Sequence, residues 1–156
     1  ELFAILNSSI HDFWTRDTSG SLGTELRYTP TDCLYTFPLP RPGEYEELQH
    51  IGECLRAHVT SVKRSRAIGV TPLYTQLHDA KEASDDLQQL RALHVELDRS
   101  VARAYGWDDL DLSRAFHDSK LGVRYSPSDV IRVEILQRLL ELNHDRYEEE
   151  VREGLQ

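Results

Sequence analysis

The sequence predicts a mainly α-helical fold: an antiparallel bundle of three long helices, with an N-terminal helix and short strands left over from a neighbouring domain. Three observations predict it. Along three separate stretches the apolar residues step by alternating threes and fours, the stripe that a helix buries. Proline, glycine or a capping hydroxyl bounds each stretch. Each runs to about 20 to 25 residues, or about 30 to 37 Å, so modest loops fold them back on one another.

In chain order, Leu2, Ile5, Leu6, Ile10, Phe13 and Trp14 mark one helix of about 14 residues, which ends in the turn-forming run 17–23. Glu25 to Thr29 has β character, Pro30 closes it, and Cys33 to Phe37 reads as a second extended run. Pro38, Pro40 and Pro42 forbid both a helix and a central strand, leaving a stiff connector. Glu44 to Ala67 is the first long helix, with Leu48, Ile51, Leu55, Val59 and Val62 inward and Gly69 as its stop. After a short helical piece at Leu73 to Leu77, Ser84 caps the second, whose seam is Leu87, Leu90, His94, Leu97, Val101 and Ala104 and whose end is Gly106. Trp107 to Tyr125 is irregular, with a brief strand at Val123 to Tyr125. Ser126-Pro127-Ser128 starts the third helix, with Val133, Leu136, Leu140, Asn143 and Tyr147 as its seam, widened by Ile135, Leu139 and Leu142.

The 156 residues divide at the prolines, into 1–42 and a helical bundle over 43–156. A chain of this size buries roughly 70% of its extended surface, so 39% hydrophobic residues build a core without staples. Cys33 and Cys54 are isolated, which argues against a zinc ribbon or a disulfide scaffold and points to a reducing cytosol. No stretch approaches the ~20 apolar residues of a membrane span. The chain contains no methionine and begins at Glu1 inside an apolar pattern, so it is expected to be a piece of a longer polypeptide.

The search for chemistry is mostly one of exclusion. None of the seven histidines pairs at i, i+4, and HExxH is absent, so no metal or catalytic residue is assigned. His94 and Asn143 occupy seam slots, where a polar residue fixes helix register. Gly20-Ser21-Leu22-Gly23 lacks the lysine and hydroxyl of a phosphate-binding loop. Asp79-Ala80-Lys81 and Asp118-Ser119-Lys120 each resemble half of a metal-dependent nuclease signature, but no strand carries the further carboxylate. Charge is more informative. On a chain of net charge -9, Cys54 to His78 carries Arg56, Lys63, Arg64 and Arg66 and no acid. Lys63, Arg64 and Arg66 are therefore the candidate phosphate contacts, or else cations complementing a helix C-terminus.

One further pattern suggests a family. Leu26-Arg27-Tyr28-Thr29-Pro30-Thr31-Asp32-Cys33, followed by Tyr35-Thr36-Phe37-Pro38-Leu39-Pro40, resembles the end of the target-recognition domain of large bacterial adenine-specific DNA methyltransferases. These include the type IIG restriction-modification enzymes and their phage-defence relatives. Phe3-Ala4-Ile5-Leu6 with Ser9, His11 and Trp14 resembles the helix before that stretch. Ala104-Tyr105-Gly106-Trp107 with Asp109-Leu110, and Leu142-Asn143-His144 with Arg146-Tyr147 and Glu149-Glu150, resemble the helical tail that ends those proteins.

The resemblance implies a parent enzyme that transfers a methyl group from S-adenosylmethionine to an adenine flipped out of double-stranded DNA. This chain departs from it: neither Asn7 nor Asn143 precedes proline, so the family's Asn-Pro-Pro-aromatic motif is missing, as is its glycine-rich cofactor turn. It implies no catalytic residue and no cofactor here. Residues 1–42 become the end of the recognition domain, and the expected partners are an upstream methyltransferase domain of the same polypeptide and, through it, duplex DNA in a bacterial cytoplasm. Arg27 joins Lys63, Arg64 and Arg66 as a candidate DNA or interdomain contact. The alternative is a helical protein-interaction module that never touches nucleic acid, which the acidic balance favours.

Overall fold

The computed structural model describes residues 1–19, 28–43, 45–120 and 122–154, together with the backbone of 21–22 and 25–26. The fold is mainly helical. In order it runs α1 (Leu2–Leu6), α2 (Ser9–Thr18), β1 (Ser21–Leu22), β2 (Glu25–Leu26), α3 (Pro30–Cys33), α4 (Glu46–Arg66), α5 (Val70–Leu77), α6 (Asp85–Tyr105), β3 (Ala115–Ser119), β4 (Gly122–Ser126) and α7 (Asp129–Glu153). Each strand pair is antiparallel, with Leu22 opposite Glu25 in the first and Ala115 opposite Ser126 in the second.

α4 and α6 are the antiparallel centre, and their ends show the direction. Glu47 at the start of α4 takes hydrogen bonds from Ser100 and Arg103 near the end of α6. Arg66 at the end of α4 meets Asp86 at the start of α6. Between them Leu48, Ile51, Leu55 and Val62 face Leu87, Leu90, Leu97 and Val101, all buried. Each such side chain contributes about 1.5 to 3 kcal/mol through the apolar surface it removes from water.

Several expectations change here. The opening helix is two helices: Ser8 donates to the Ile5 carbonyl at 2.7 Å, closing α1, and accepts from the His11 amide at 3.4 Å, opening α2. Both belong to the same core as the long helices, through Ala4, Ile5, Ile10, Phe13 and Trp14. The 42/43 boundary therefore does not divide the core. The extended run expected at Cys33 to Phe37 is instead a helical turn with Pro30 in its first turn, followed by turn residues. Proline's fixed φ suits the start of a helix, and that overrides the β preference of the residues after it. α4 ends on Ala67 in the left-handed region, φ 51°, and Gly69 opens α5. The brief strand foreseen at Val123 to Tyr125 is one arm of a hairpin.

α7 lies against α2 and reaches the core through Ile135, Leu136 and Leu139. Of its expected seam, Val133, Leu140 and Tyr147 are more than half exposed. The helix has two apolar faces, and periodicity alone cannot say which one is buried.

Two buried charged groups bind the periphery to this core. Asp98 on α6 is fully buried: its Oδ1 accepts from the Ser9 amide at the start of α2 and its Oδ2 from Arg114 Nε at 2.9 Å, while Arg114 also donates to Ser9 Oγ. Burial pushes the Asp98 carboxyl up, and the Arg114 guanidinium and Ser9 donors pull it down. Arg91 has no carboxylate partner among the described residues. It donates to the carbonyls of Gln76, Leu77, Asp79 and Glu82, closing the negative end of α5, and packs beneath Phe116 and Tyr125 of the hairpin.

Candidate functional site

The basic end of α4 does not hold together as one cationic patch. Arg66 has turned inward: it makes a two-pronged pair with Asp86 at 2.7 and 2.8 Å, and its remaining N–H groups reach Gln76, Glu82 and Ser84. These contacts hold the Asp86 carboxyl well below the usual range and fasten the ends of α4, α5 and α6 to one another. A guanidinium so occupied presents no fork to phosphate, so Arg66 leaves the candidate DNA set. Arg27 lies outside the described residues.

Lys63 is half-buried and Arg64 exposed, and neither has an ion-pair partner among the described residues. Arg56, seven residues before Lys63 and therefore almost directly above it on the helix, is likewise exposed and unpaired among the described residues. Sequence reasoning counted Arg56 among the bases but left it out of the site; the seven-residue spacing was the signal. Arg56 borders a hollow of about 430 Å³ walled by Phe3, Leu55, Val59 and Val70, with Tyr74 and His94 at its inner side. The His94 Nε2 lies 3.1 Å from the Tyr74 hydroxyl, and its Nδ1 is buried without a partner among the described residues. Burial lowers the His94 pKa to about 3, so the ring is neutral at physiological pH.

The second feature is a groove of about 580 Å³ between residues 35–38 and α7, lined by Tyr35, Phe37, Pro38, Leu140, Asn143 and Tyr147 among others. It is built from stretches more than a hundred residues apart. The Pro38 carbonyl accepts from the Tyr105 hydroxyl at 2.9 Å, the Leu39 carbonyl accepts from Arg146 at 2.5 Å, and Arg41 pairs with Glu149 at 3.5 Å. Trp14 donates to Thr36 Oγ1 at 3.3 Å, and His11 packs edge-on against Phe37. Tyr105 stacks on Trp107 at 4.4 Å, and Arg138, paired with both oxygens of Asp109, lies over the Trp107 ring. Parts of the four sequence blocks that carry the family resemblance thus meet around the proline connector and α7, namely His11 and Trp14, Tyr35 to Leu39, Tyr105, and Asn143 to Tyr147, while Phe3 and Ala4 of the first block pack against α4 instead.

The half-signatures of a nuclease do not assemble. Asp79 Oδ1 accepts from the Lys81 amide in a tight loop, while Asp118 is exposed on β3. Among the described residues no three His, Cys, Asp or Glu side chains come together as a metal-binding group. No helix among the described residues is long and apolar enough to cross a membrane. Compared with protein-family models, curated proteins and solved structures, the chain gives no match to any of them.

Proposed function

We propose that this chain is a non-catalytic C-terminal region of an adenine-specific, S-adenosylmethionine-dependent DNA methyltransferase of the restriction-modification or phage-defence kind, acting in a bacterial cytoplasm. The observation that supports it best is that residues from four resembling blocks, His11 and Trp14, Thr36 to Leu39, Tyr105, and Asn143 with Arg146 and Tyr147, meet around the proline connector. Its role is to brace the close of the recognition domain: α7 and the end of α6 grip the proline connector through Arg146 and Tyr105. Lys63 and Arg64, with Arg56 above them, supply sequence-independent phosphate contacts.

The test is duplex binding by the methyltransferase polypeptide that carries this region, measured over a range of salt. Replacing Lys63 and Arg64 by Glu is expected to weaken binding and to lower the salt slope by nearly one for each phosphate no longer neutralised. Unchanged affinity and slope would remove α4 from the DNA interface. The charge of -9 and the exposed apolar face of α7 favour a second reading, a protein-docking module without nucleic-acid contact. Crosslinks from Lys63 to protein alone, in a complex that contains DNA, would favour that one.

A further inference from the structure

We infer that the outward face of α7 is a docking surface for a basic amphipathic helix. This names the partner for the docking reading, and it concerns a different helix from the proposed DNA contacts.

The face is a heptad stripe. Val130, Gln137, His144 and Val151 recur every seven residues, and Val133, Leu140 and Tyr147 recur three residues after the first three of them. This is the a/d pattern of a helix that expects a second helix along it. It spans the 22 residues from Val130 to Val151, whose ends lie about 31 Å apart. Its five apolar members are between 51% and 78% exposed, while Ile135 and Leu139 on the other side of α7 are fully buried. The stripe is therefore additional to what the core needs. Its two polar members are tied along the helix, Gln137 to Glu141 at 3.0 Å and His144 to Glu148 at 3.2 Å, and polar residues at such positions set register.

The two borders of the stripe say what fits. On one side stands a wall made by Tyr35, Phe37 and Pro38, which turns the C-terminal half of the stripe into a groove. Along the other, Glu134, Glu141 and Glu148 occupy the flanking position of three successive heptads; Glu134 is paired with Arg138 at 2.7 Å, and Glu141 and Glu148 have no Lys or Arg partner among the described residues. Between 141 and 153 there are six acidic residues against two basic ones. A second antiparallel copy would set this glutamate row against itself, and a parallel copy would offer it no cation. Nucleic acid and anionic lipid are repelled by the same row. An α-helix with apolar heptad positions and Lys or Arg at its flanks matches both the stripe and the charge.

The probe is a synthetic four-heptad peptide with Val and Leu at its a and d positions and Lys at its flanks, titrated into the 156-residue chain by fluorescence anisotropy; the same peptide with Glu flanks is the control. The Lys peptide is expected to bind with micromolar affinity, and the Glu peptide at least tenfold more weakly. Leu140→Asp, at an exposed position where folding is checked by circular dichroism, should cut Lys-peptide binding at least tenfold. The pair Glu141→Lys and Glu148→Lys should lower Lys-peptide affinity and raise Glu-peptide affinity. The inference is overturned if the Lys peptide does not bind, if Leu140→Asp leaves its affinity unchanged, or if both peptides bind equally. It is also overturned if sedimentation shows a dimer that Leu140→Asp dissolves, because the face would then belong to a second copy. Loss of DNA binding on charge reversal at Lys63 and Arg64 bears on neither peptide.

Discussion

α6 and α7 are successive helices of similar length, yet they are used differently. α6 buries Leu87, Leu90, His94, Leu97, Asp98 and Val101 along its whole span, and with them a charge. α7 buries only Ile135, Leu136 and Leu139 near its first third, and beyond Leu140 every described residue is exposed except Leu142 and Arg146, which are half-buried. The two helices show that regular apolar spacing predicts a helix equally well whether its stripe faces a core or solvent. Packing energy belongs to α6, and most of what α7 offers is surface.

The sharpest way to break this contrast is at Asp98. Asp98→Ala removes a fully buried carboxylate and strands Arg114 and the Ser9 amide, so a loss of about 3 to 5 kcal/mol is expected in urea unfolding. Arg66→Ala should cost less, about 2 kcal/mol, since its two-pronged pair with Asp86 is only partly shielded from water. That substitution should loosen α5 and the start of α6 in hydrogen exchange; stability and exchange both unchanged would return Arg66 to the surface set.

Acid should act through His94 on α6 and through His78, which caps the end of α5. His94 and His78 have pKa values lowered to about 3 and about 4, mainly by burial. The unfolded chain takes up these protons near pH 6.5 and the folded chain does not. Stability is therefore full above about pH 6.5 and falls as the pH drops toward 4, by at most about 1.4 kcal/mol per pH unit for each proton. His94→Gln should make that fall shallower, and an equally steep urea-midpoint profile would contradict the assignment. A small effect of the opposite sign is expected at Gly52, where α1 crosses α4. A methyl group there would sit 3.4 Å from the Ala4 Cβ, so Gly52→Ala fits and should gain up to about 1 kcal/mol of helix propensity. Destabilisation instead would mean that α1 sits closer to α4.

What could be read in advance was local. α4 and α6 fall within about two residues of their expected ends because Glu46 and Glu47, Ser84 and Gly106 are short-range signals. The break at Ser8 was hidden because the apolar stripe runs straight through it, although a serine before an apolar run is a cap signal. The turn at Pro30 had its own mark in Thr29-Pro30-Thr31-Asp32, where the Thr29 hydroxyl donates to Asp32 at 2.5 Å. The partners of Asp98, Arg91 and Arg66 were not legible. Each is fixed by residues 9 to 89 positions away, and no spacing rule reaches that far. For the same reason the basic run at the end of α4 could not be divided into Lys63 and Arg64, which are unpaired among the described residues, and Arg66, which is engaged.

The division of α7 into a packed face and an offered face is tested most directly at two adjacent leucines. Leu139→Ala, at a fully buried site, is expected to lower the unfolding free energy by about 2 to 5 kcal/mol, and Leu140→Ala, half exposed one residue on, by no more than about 0.5 kcal/mol. Equal losses at the two positions would contradict this division, because α7 would then be packed on both sides.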